Sequence, residues 1–244
     1  MSDLFNKNII KLSEVDSTNN YALSLKNNTF FKHGLVIISD YQTSGVGQRG
    51  SSWESERSKN LLLSIVIEPD ILLADRFDVS RLICISICDY LRSLGLNPKI
   101  KWPNDILVDN SKIAGVLIHN LISEGKITHS VVGVGLNVNQ IIFSEYFPKA
   151  VSIRNKLGGE FNLEEVRSSL LDFFEENFFM LKNRNELQIK YLEDLFMRDK
   201  IALFERENQR FNGIIKSVTL DGLLIVEIAK KSKEFNLKEI KMIF

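Results

Sequence analysis

The segment Lys101-Trp102-Pro103-Asn104-Asp105 limits what this chain can fold into more than any other stretch. Pro103 lacks an amide hydrogen, so the interior of a sheet cannot continue through it. It also favours an extended backbone at Trp102. The Asn-Asp pair that follows is typical of a turn, where polar side chains are free for a ligand or for local hydrogen bonds. The segment therefore predicts a strand end that carries polar groups.

A second lysine follows in Lys112-Ile113-Ala114-Gly115, where the small Ala-Gly pair lets a backbone or a ligand approach closely. Residues 106–108 and 113–118 have strand character on either side of the turn Asp109-Asn110-Ser111. Such a hairpin would bring Lys101 and Lys112 toward one pocket, and two cations suit a ligand with carboxylate and phosphate groups. Two solvated surface lysines are the alternative on composition alone.

Chain length, charge balance and the lack of long apolar segments argue against a DNA-binding domain, a secreted protein and a membrane-spanning protein. A chain of 244 residues has room for one large domain and a small one. Lys+Arg and Asp+Glu both number 31, which argues against a dedicated DNA-binding domain. The first eleven residues lack a secretory signal, and no apolar segment is long enough to span a membrane, so we expect a cytoplasmic protein.

Cys84 and Cys88 stand four residues apart in an apolar stretch, which places them on one helix face. We interpret them as buried thiols in a reducing compartment. Half of a metal site is the alternative, but no other cysteine or histidine lies nearby in the sequence to complete it.

Hydrophobic periodicity predicts an α/β body followed by a small β-barrel. Strand patterns cover residues 9–15, 35–39, 61–67 and 127–138, and helical patterns cover 77–94, a stripe from Leu163 to Leu181, and 186–196. Asn162 is placed to cap the helix of that stripe, with Glu165 in position for a capping box. After Lys200, five short strand patterns follow at 201–204, 211–218, 223–228, 234–237 and 240–244. We place the boundary near Arg198, giving domains of residues 1–198 and 199–244.

Residues 42–60 form a polar, glycine-rich segment that predicts a long loop. Gly45, Gly47 and Gly50 would let backbone amides turn toward an anion, and Arg49 adds a planar fork for phosphate or carboxylate. Trp53 offers a flat face for a purine. The spacing of Rossmann and P-loop glycines is absent, so a mobile surface loop is an equal alternative for this segment alone.

Two further segments combine polar residues with glycine or with a helix start. In Gly133-Val134-Gly135-Leu136-Asn137-Val138-Asn139, glycines inside a strand indicate either a bulge or a strand that lines a ligand. Ser17-Thr18-Asn19 is typical of a helix cap, and a helix start also binds polar groups through its free amides.

Taken in order, these motifs resemble those of the biotin–protein ligases, also called biotin–acetyl-CoA-carboxylase ligases, over nearly the whole chain. The Lys-Trp-Pro-Asn-Asp segment is the most specific of them, and residues 235–243 resemble the end of the family's small SH3-like barrel. The resemblance implies an α+β fold with a mixed β-sheet flanked by helices, similar to class II aminoacyl-tRNA synthetases. A small C-terminal SH3-like β-barrel completes it.

The resemblance also implies a two-step reaction. Biotin and ATP, with Mg²⁺, would give biotinyl-5′-AMP and pyrophosphate, and the biotinyl group would pass to a lysine of a biotin carboxyl carrier protein domain. Neither nucleic acid nor membrane is expected as a partner, and a monomer and a homodimer both stay open.

The family pattern assigns roles to individual positions of this sequence. Lys112 and Arg49 would be catalytic, and Asp105 would be a metal ligand. The residues implied for biotin are Ser17, Thr18, Asn19, Gln42, Val46, Gly47, Gln48, Lys112 and Gly115. Those implied for the nucleotide are Gly45, Arg49, Gly50, Trp53, Lys101, Asn104, Asp105, Asn137 and Asn139.

The chain departs from the family pattern in its loop and at its start. In the family, the loop usually carries arginine at the position of Val46 and often at the position of Gln48. The loss of a guanidinium here would weaken contact with phosphate. Ser17-Thr18-Asn19 begins too early to leave room for a winged helix-turn-helix, so we expect no operator binding. The rival interpretations are a lipoate–protein ligase, a non-catalytic biotin-binding protein and a purely structural interaction protein.

Overall fold

The computed structural model describes residues 4–144, 149–237 and 239–243, apart from the side chain of Arg49, and its main element is a mixed β-sheet. The strand order is β1-β2-β3-β8-β7-β6-β5, with β4 paired to β8 beside that path. β1 and β2 run parallel, and the other paired strands of this sheet run antiparallel. The strands are β1 (Asn8–Leu12), β2 (Leu35–Ser39), β3 (Leu61–Ile67), β4 (Ile71–Leu72), β5 (Pro98–Lys101), β6 (Asp105–Val108), β7 (Ser111–Ser123) and β8 (Lys126–Leu136).

Helices cover both faces of this sheet. The helices are α1 (Leu4–Lys7), α2 (Thr18–Ser24), α3 (Phe77–Ser93), α4 (Ile153–Leu157), α5 (Leu163–Phe178) and α6 (Arg184–Glu193), with 3₁₀ turns at Gln48–Gly50, Leu73–Asp75 and Phe179–Lys182. α3 packs against α5 and α6 on one face, and α2 packs against β2, β3 and β8 on the other. The larger core therefore lies under α3, and the smaller one under α2.

Alternation along the central strands separates the two cores. On β8, Val132 and Val134 belong to the core under α3, whereas Val131 belongs to the core under α2. Successive side chains of a strand point to opposite faces, and burial of each valine contributes about 1.5–3 kcal/mol. Gly133 and Gly135 share the face of Val131, so that face of the sheet is left bare beyond the end of the smaller core.

The C-terminal strands form a second, five-stranded antiparallel sheet in the order β12-β11-β10-β9-β13. Its strands are β9 (Ile201–Arg206), β10 (Gln209–Val218), β11 (Leu224–Ile228), β12 (Lys231–Phe235) and β13 (Lys241–Ile243). Its buried residues, such as Phe204 and Val226, are continuous with the core under α3. The mixed sheet flanked by helices and the second antiparallel sheet are as predicted; the boundary near Arg198 stays a prediction.

Several predicted elements differ from the structure at their ends. The first strand ends at Leu12, because Val15 pairs only with Gln42 in an isolated bridge. The last helix ends at Glu193 rather than near Phe196, because residues 194–196 leave the helix and hydrogen-bond to Ile100 at the edge of β5. Asn162 caps α5 through the amide of Glu164, in place of the predicted capping box with Glu165.

Cys84 and Cys88 are buried free thiols on α3, as interpreted from the sequence. Burial raises the pKa of Cys84 to about 12, which leaves it an unreactive thiol. No helix in the described ranges is long and apolar enough to cross a bilayer.

A half-buried histidine makes stability depend on pH. His33 packs against the rings of both Phe5 and Phe178, and its Nδ1 accepts the amide of Glu68 at 3.1 Å. Burial lowers the pKa of His33, against the opposing charges of Glu68 and Glu175. The neutral ring is therefore favoured in the native state. Its contribution to stability is full above the unfolded pKa of about 6.5 and is lost as the pH falls toward the folded pKa.

Replacement of His33 by asparagine should remove part of this acid sensitivity, because the amide oxygen can accept the Glu68 amide without titrating. We expect the drop in unfolding free energy between pH 7 and pH 5, measured with urea, to be smaller in His33→Asn than in the wild type. His119→Asn, at an exposed position, is the control. An equal drop in His33→Asn and the wild type would contradict the assignment.

Candidate active site

One cavity of about 600 Å³ lies between the α2 side of the main sheet, the loop of residues 42–60 and the C-terminal sheet. This volume is in the range of about 300–1,000 Å³ that small-molecule sites occupy. Residues predicted from separate parts of the sequence meet in its lining: Ser17, Thr18, Asn19, Gln42, Val46, Gly47, Gln48, Trp53, Lys101, Asn104, Asp105, Lys112 and Gly115.

Glycines on β7 and β8 provide a flat floor for this cavity. Gly115 and Gly135 are directly opposite each other in the β7–β8 ladder, and the indole of Trp53 lies on both of them. A Cβ atom at Gly135 would overlap the Trp53 ring, and one at Gly115 would lie 3.1 Å from it. Two residues earlier, a Cβ atom at Gly133 would lie 2.7 Å from the Asn19 side chain. Because these glycines have no side chains, Asn19 at the start of α2 and Trp53 of the loop can both pack directly on the backbone of the sheet.

The end of the cavity under α2 is a buried polar network. Gln42 Oε1 accepts the amide of Thr18 at 2.8 Å and its hydroxyl at 3.1 Å. The hydroxyl of Ser64, which is 0% exposed, lies 2.8 Å from both Thr18 Oγ1 and Asn19 Oδ1. Asn19 Nδ2 donates to the carbonyl of Leu117 at 3.1 Å. Ser17 is the N-cap residue of α2, but its side chain makes no capping hydrogen bond. This end of the cavity therefore suits a ligand group that both donates and accepts hydrogen bonds.

The opposite end of the cavity is a charged cluster. Asp105 lies between two lysines, with Lys112 Nζ at 2.7 Å from Oδ1 and Lys101 Nζ at 3.6 Å from Oδ2. Lys112 Nζ also lies 5.4 Å from the centre of the Trp53 ring. Burial lowers the pKa of Lys101, and Lys112 lowers it further, while Asp105 opposes both. Two cations share one carboxylate, so the cluster has a net positive charge available to an anion.

A β-bulge aims Lys112 into the cavity. The β6–β7 ladder pairs Asp105 with Gly115 and Ile106 with Ala114, and then pairs Leu107 with Lys112, which leaves Ile113 as an extra residue. In a regular strand, Lys112 and Gly115 would point to opposite faces. The extra residue brings them to the same face, and Lys112 Nζ comes within 3.2 Å of the space a Cβ at Gly115 would fill.

The glycine-rich loop is closed on itself by backbone hydrogen bonds. Trp53 N–H donates to Gly45 at 2.9 Å, and Gly47 N–H donates to Ser51 at 2.6 Å. A side chain at Gly45 would overlap the Trp53 carbonyl, so this glycine shapes the loop and lies outside the cavity lining. Gly50 has a φ of 81° in the turn and also lies outside that lining. The side chain of Arg49 is outside the described part of the chain.

Two predicted residues are placed behind the cavity. Asn137 Nδ2 donates to the carbonyl of Val151 at 3.1 Å. Asn139 exchanges two hydrogen bonds with the backbone of Phe161, at 2.8 and 2.9 Å. Both asparagines are buried and lie outside the described lining. Their hydrogen bonds hold the backbone of the segment that follows β8 in place. A nucleotide role for them stays a prediction.

Asp105 stays only a prediction as a metal ligand, because each of its oxygens faces a lysine. A cation bound there would have to displace those ion pairs. No three His, Cys, Asp or Glu side chains come together as a metal cluster within the described residues. The residues present therefore do not fit a preformed metal site.

Sequence reasoning missed one residue behind the lining and one part of the lining itself. Ser64 is a lone polar residue in the apolar run of β3, and that exception to an otherwise hydrophobic strand was a readable signal. The strands of the C-terminal sheet contribute Phe204, Glu205, Arg206, Leu224, Lys241 and Met242. No site role was predicted for any of the six, although Lys241 and Met242 lie in the segment 235–243 that resembles the family's barrel. They reach the cavity only through the packing of one sheet against the other.

Comparisons with known proteins agree with this arrangement. The sequence profile of the Biotin/lipoate A/B protein ligase family matches residues 12–137. The chain is 25% identical to the bifunctional ligase/repressor BirA of Bacillus spizizenii, over 99% of this chain and 76% of that protein. It is 26% identical to the biotin--[acetyl-CoA-carboxylase] ligase of Mycobacterium tuberculosis, over 82% and 75% of the two chains. The structure of the Aquifex aeolicus biotin protein ligase in complex with biotin and ATP superposes with a TM-score of 0.79 at 25% identity, covering 97% and 98% of the two chains.

The chain therefore belongs to the Biotin/lipoate A/B protein ligase family. The predicted enzyme class, biotin–protein ligase, is confirmed by these relatives together with the fold.

Substitution of Gly135 by alanine should displace Trp53, because the new methyl group would overlap the indole. We expect a red-shifted Trp53 emission maximum in Gly135→Ala/Trp102→Phe relative to Trp102→Phe alone, a comparison in which one tryptophan reports. Gly133→Ala is the matched control, since it places the same methyl group on the same strand against Asn19 instead. Unchanged emission in Gly135→Ala would show that Trp53 does not lie on this floor.

Proposed function

We propose that this protein activates biotin with ATP to form biotinyl-5′-AMP and then transfers the biotinyl group to a lysine of a biotin carboxyl carrier protein domain. The proposal rests on one observation above all. A polar, hydrogen-bonding end and a cationic end occupy one cavity, with the Trp53 indole on the glycine floor between them. Biotin has a ureido ring at one end and a carboxylate at the other, and the two ends of the cavity match those two groups.

The polar end favours biotin over lipoate. The ureido ring of biotin carries two N–H donors and a carbonyl acceptor, whereas the dithiolane ring of lipoate has no strong hydrogen-bonding group. Thr18 and Asn19 are buried polar residues that line this end of the cavity. A ligand with donors and acceptors can extend the hydrogen-bond network of Thr18, Asn19 and Gln42, whereas a ligand without them cannot.

In the first step, a biotin carboxylate oxygen attacks the α-phosphorus of ATP. The new O–P bond forms as the bond from the α-phosphorus to the bridging oxygen breaks, and pyrophosphate leaves. Two anions must approach each other for this attack. The ammonium groups of Lys112 and Lys101 lie at the cationic end of the cavity and would offset the repulsion. Asp105 holds the two lysines beside each other.

In the second step, the ε-amine of a carrier lysine attacks the acyl carbon of the mixed anhydride. The C–N bond forms as the C–O bond to phosphate breaks, AMP leaves, and the amine loses a proton. The loop of residues 42–60 covers the cavity and would shield the anhydride from water. No protein nucleophile is required, because the carrier amine itself attacks the acyl carbon.

Mg²⁺ would neutralise charge on the polyphosphate of ATP. Because the described residues do not fit a preformed metal site, we assign no step to an ion held by Asp105. Arg49 stays a prediction for phosphate contact.

The activity test is pyrophosphate release with biotin, ATP and Mg²⁺, followed by mass spectrometry of a carrier domain. We expect pyrophosphate release with biotin, little with lipoate, and an added biotinyl group on one lysine of the carrier. Biotin binding without pyrophosphate release would support a non-catalytic biotin-binding protein instead.

Replacement of Lys112 by alanine should slow adenylate formation by at least about tenfold, which corresponds to about 1.4 kcal/mol of transition-state stabilisation. The reason is that Lys112 supplies one of the two ammonium groups beside the reacting anions. The measurement is biotin-dependent ATP–pyrophosphate exchange. Lys126→Ala, which removes an exposed lysine paired with Asp70, should leave the rate unchanged. Wild-type exchange by a folded Lys112→Ala protein would remove Lys112 from the mechanism.

Replacement of Val46 by arginine should tighten binding of biotinyl-5′-AMP. Val46 lines the cavity and is 41% exposed, so a longer cationic side chain has room to reach the phosphate. The measurement is the dissociation rate of the adenylate. The readout is the appearance of AMP and biotin, which form when the released adenylate is hydrolysed. Val46→Gln, which is long but uncharged, separates charge from size. An unchanged dissociation rate in Val46→Arg would show that other groups already neutralise the phosphate.

A further inference from the structure

A turn of the C-terminal sheet is fixed to the main sheet beside the cavity. It comprises residues 219–222, between β10 and β11, and is closed by a hydrogen bond from the Gly222 amide to the Thr219 carbonyl at 3.0 Å. Gly222 has a φ of 100°, and a Cβ atom there would lie 2.6 Å from the Phe77 ring. The turn therefore packs against Phe77 at the start of α3, and position 222 of the turn requires glycine.

Arg81 of α3 holds one end of this turn. It is 0% exposed, and its guanidinium donates to the carbonyl of Leu220 at 3.0 Å and to that of Thr219 at 2.5 Å. Asp78 balances its charge at 2.5 Å, and Arg184 joins the same carboxylate at 2.6 Å. Both terminal nitrogens of this guanidinium are hydrogen-bonded and Asp78 balances its charge, whereas its Nε has no partner. Loss of the turn carbonyls would leave further donors of a buried cation unpaired, so the network favours the turn in this position.

Trp102 holds the other end of the turn. Its indole Nε1–H donates to the Gly222 carbonyl at 3.0 Å, and Trp102 also lines the cavity. The next residue, Pro103, is held from the α3 and α6 side, where its carbonyl accepts the hydroxyl of Tyr191 at 3.2 Å. Arg81, the 219–222 turn and Trp102 form a continuous connection that we call the latch.

The latch ends at the charged cluster of the cavity. Lys101 precedes Trp102 directly, and Asp105 pairs with Lys101 across the β5–β6 hairpin. Asp105 in turn holds Lys112 at 2.7 Å. A displacement of Trp102 would therefore move the carboxylate that sets the spacing of both lysines, although neither Trp102 nor Arg81 belongs to that cluster.

We propose that Trp102 and Arg81 are positioning residues that, through the 219–222 turn, hold Lys101, Asp105 and Lys112 in the arrangement needed for the activation step. This inference rests on the proposed function, because it assigns the latch to adenylate formation. It gives the C-terminal sheet a specific role in the first chemical step, exerted through one carbonyl and one indole N–H.

Trp102→Phe is the mildest test, because it removes the N–H donor and keeps an aromatic ring. We expect kcat of biotin-dependent ATP–pyrophosphate exchange to fall about tenfold. The affinity for biotin alone, measured by calorimetry, should change less than about threefold, since the polar end of the cavity is untouched. Val166→Ala on α5, a core change away from the cavity, controls for loss of stability and should keep wild-type kcat at a temperature where both variants are folded.

A double-mutant cycle then tests the connection itself. Arg81→Met removes both bonds to the turn, and we expect the double variant Arg81→Met/Trp102→Phe to be no slower than the slower single variant, because both changes break one connection. Multiplied effects would overturn the latch, as would wild-type kcat in Trp102→Phe or an equal loss in Val166→Ala. If Arg81→Met does not fold, Trp102→Phe with its control decides alone.

An inactive wild-type chain would count against the proposed function, whereas an active wild type with unaffected Trp102→Phe would count against the latch only.

Discussion

The antiparallel pairing of β7 with β8 is the constraint on which the rest of the structure depends. This ladder runs from Ala114–Leu136 to Ser123–Lys126 at the centre of the main sheet. One face of β8 buries Val132 and Val134 under α3, so the sheet cannot slip by one residue without exposing that core. The same register places Gly115 opposite Gly135 on the other face. Core and cavity floor are therefore set by a single alignment of two strands.

The charged end of the cavity depends on that alignment through β6. Asp105 pairs with Gly115, and the bulge at Ile113 turns Lys112 toward the same side. Three ionised groups then lie in a partly buried cluster, where the attraction between Asp105 and each lysine offsets the repulsion between the lysines. The arrangement keeps two ammonium groups close together, and this is the property on which the proposed activation step depends.

Much of the fold and part of the site could be predicted because their signals are local. Residues 35–39 and 61–67 were predicted as strands with the bounds the structure has, since apolar β-branched runs with flanking polar residues need no distant partner to be recognised. Residues 194–196 were predicted as helix and instead hydrogen-bond to β5, because an edge strand offered backbone partners that the local pattern does not reveal. The lining from the C-terminal sheet was missed for the same reason, whereas Ser64 was missed although it is a local exception in an apolar strand.

The sequence by itself determined the composition of the site: a strand ended by Pro103, glycines where a floor is needed, and lysines beside an aspartate. These are chemical requirements, and they are visible in residue types and spacing. Only the tertiary structure decided which of these residues share a cavity. It placed Asn137 and Asn139 behind the site as backbone fasteners, aimed Lys112 inward through a bulge, and joined Trp102 to Gly222 of the other sheet. The physical reason is that register, bulges and packing between sheets are set by contacts between residues far apart in the chain, whose energies a local pattern does not contain.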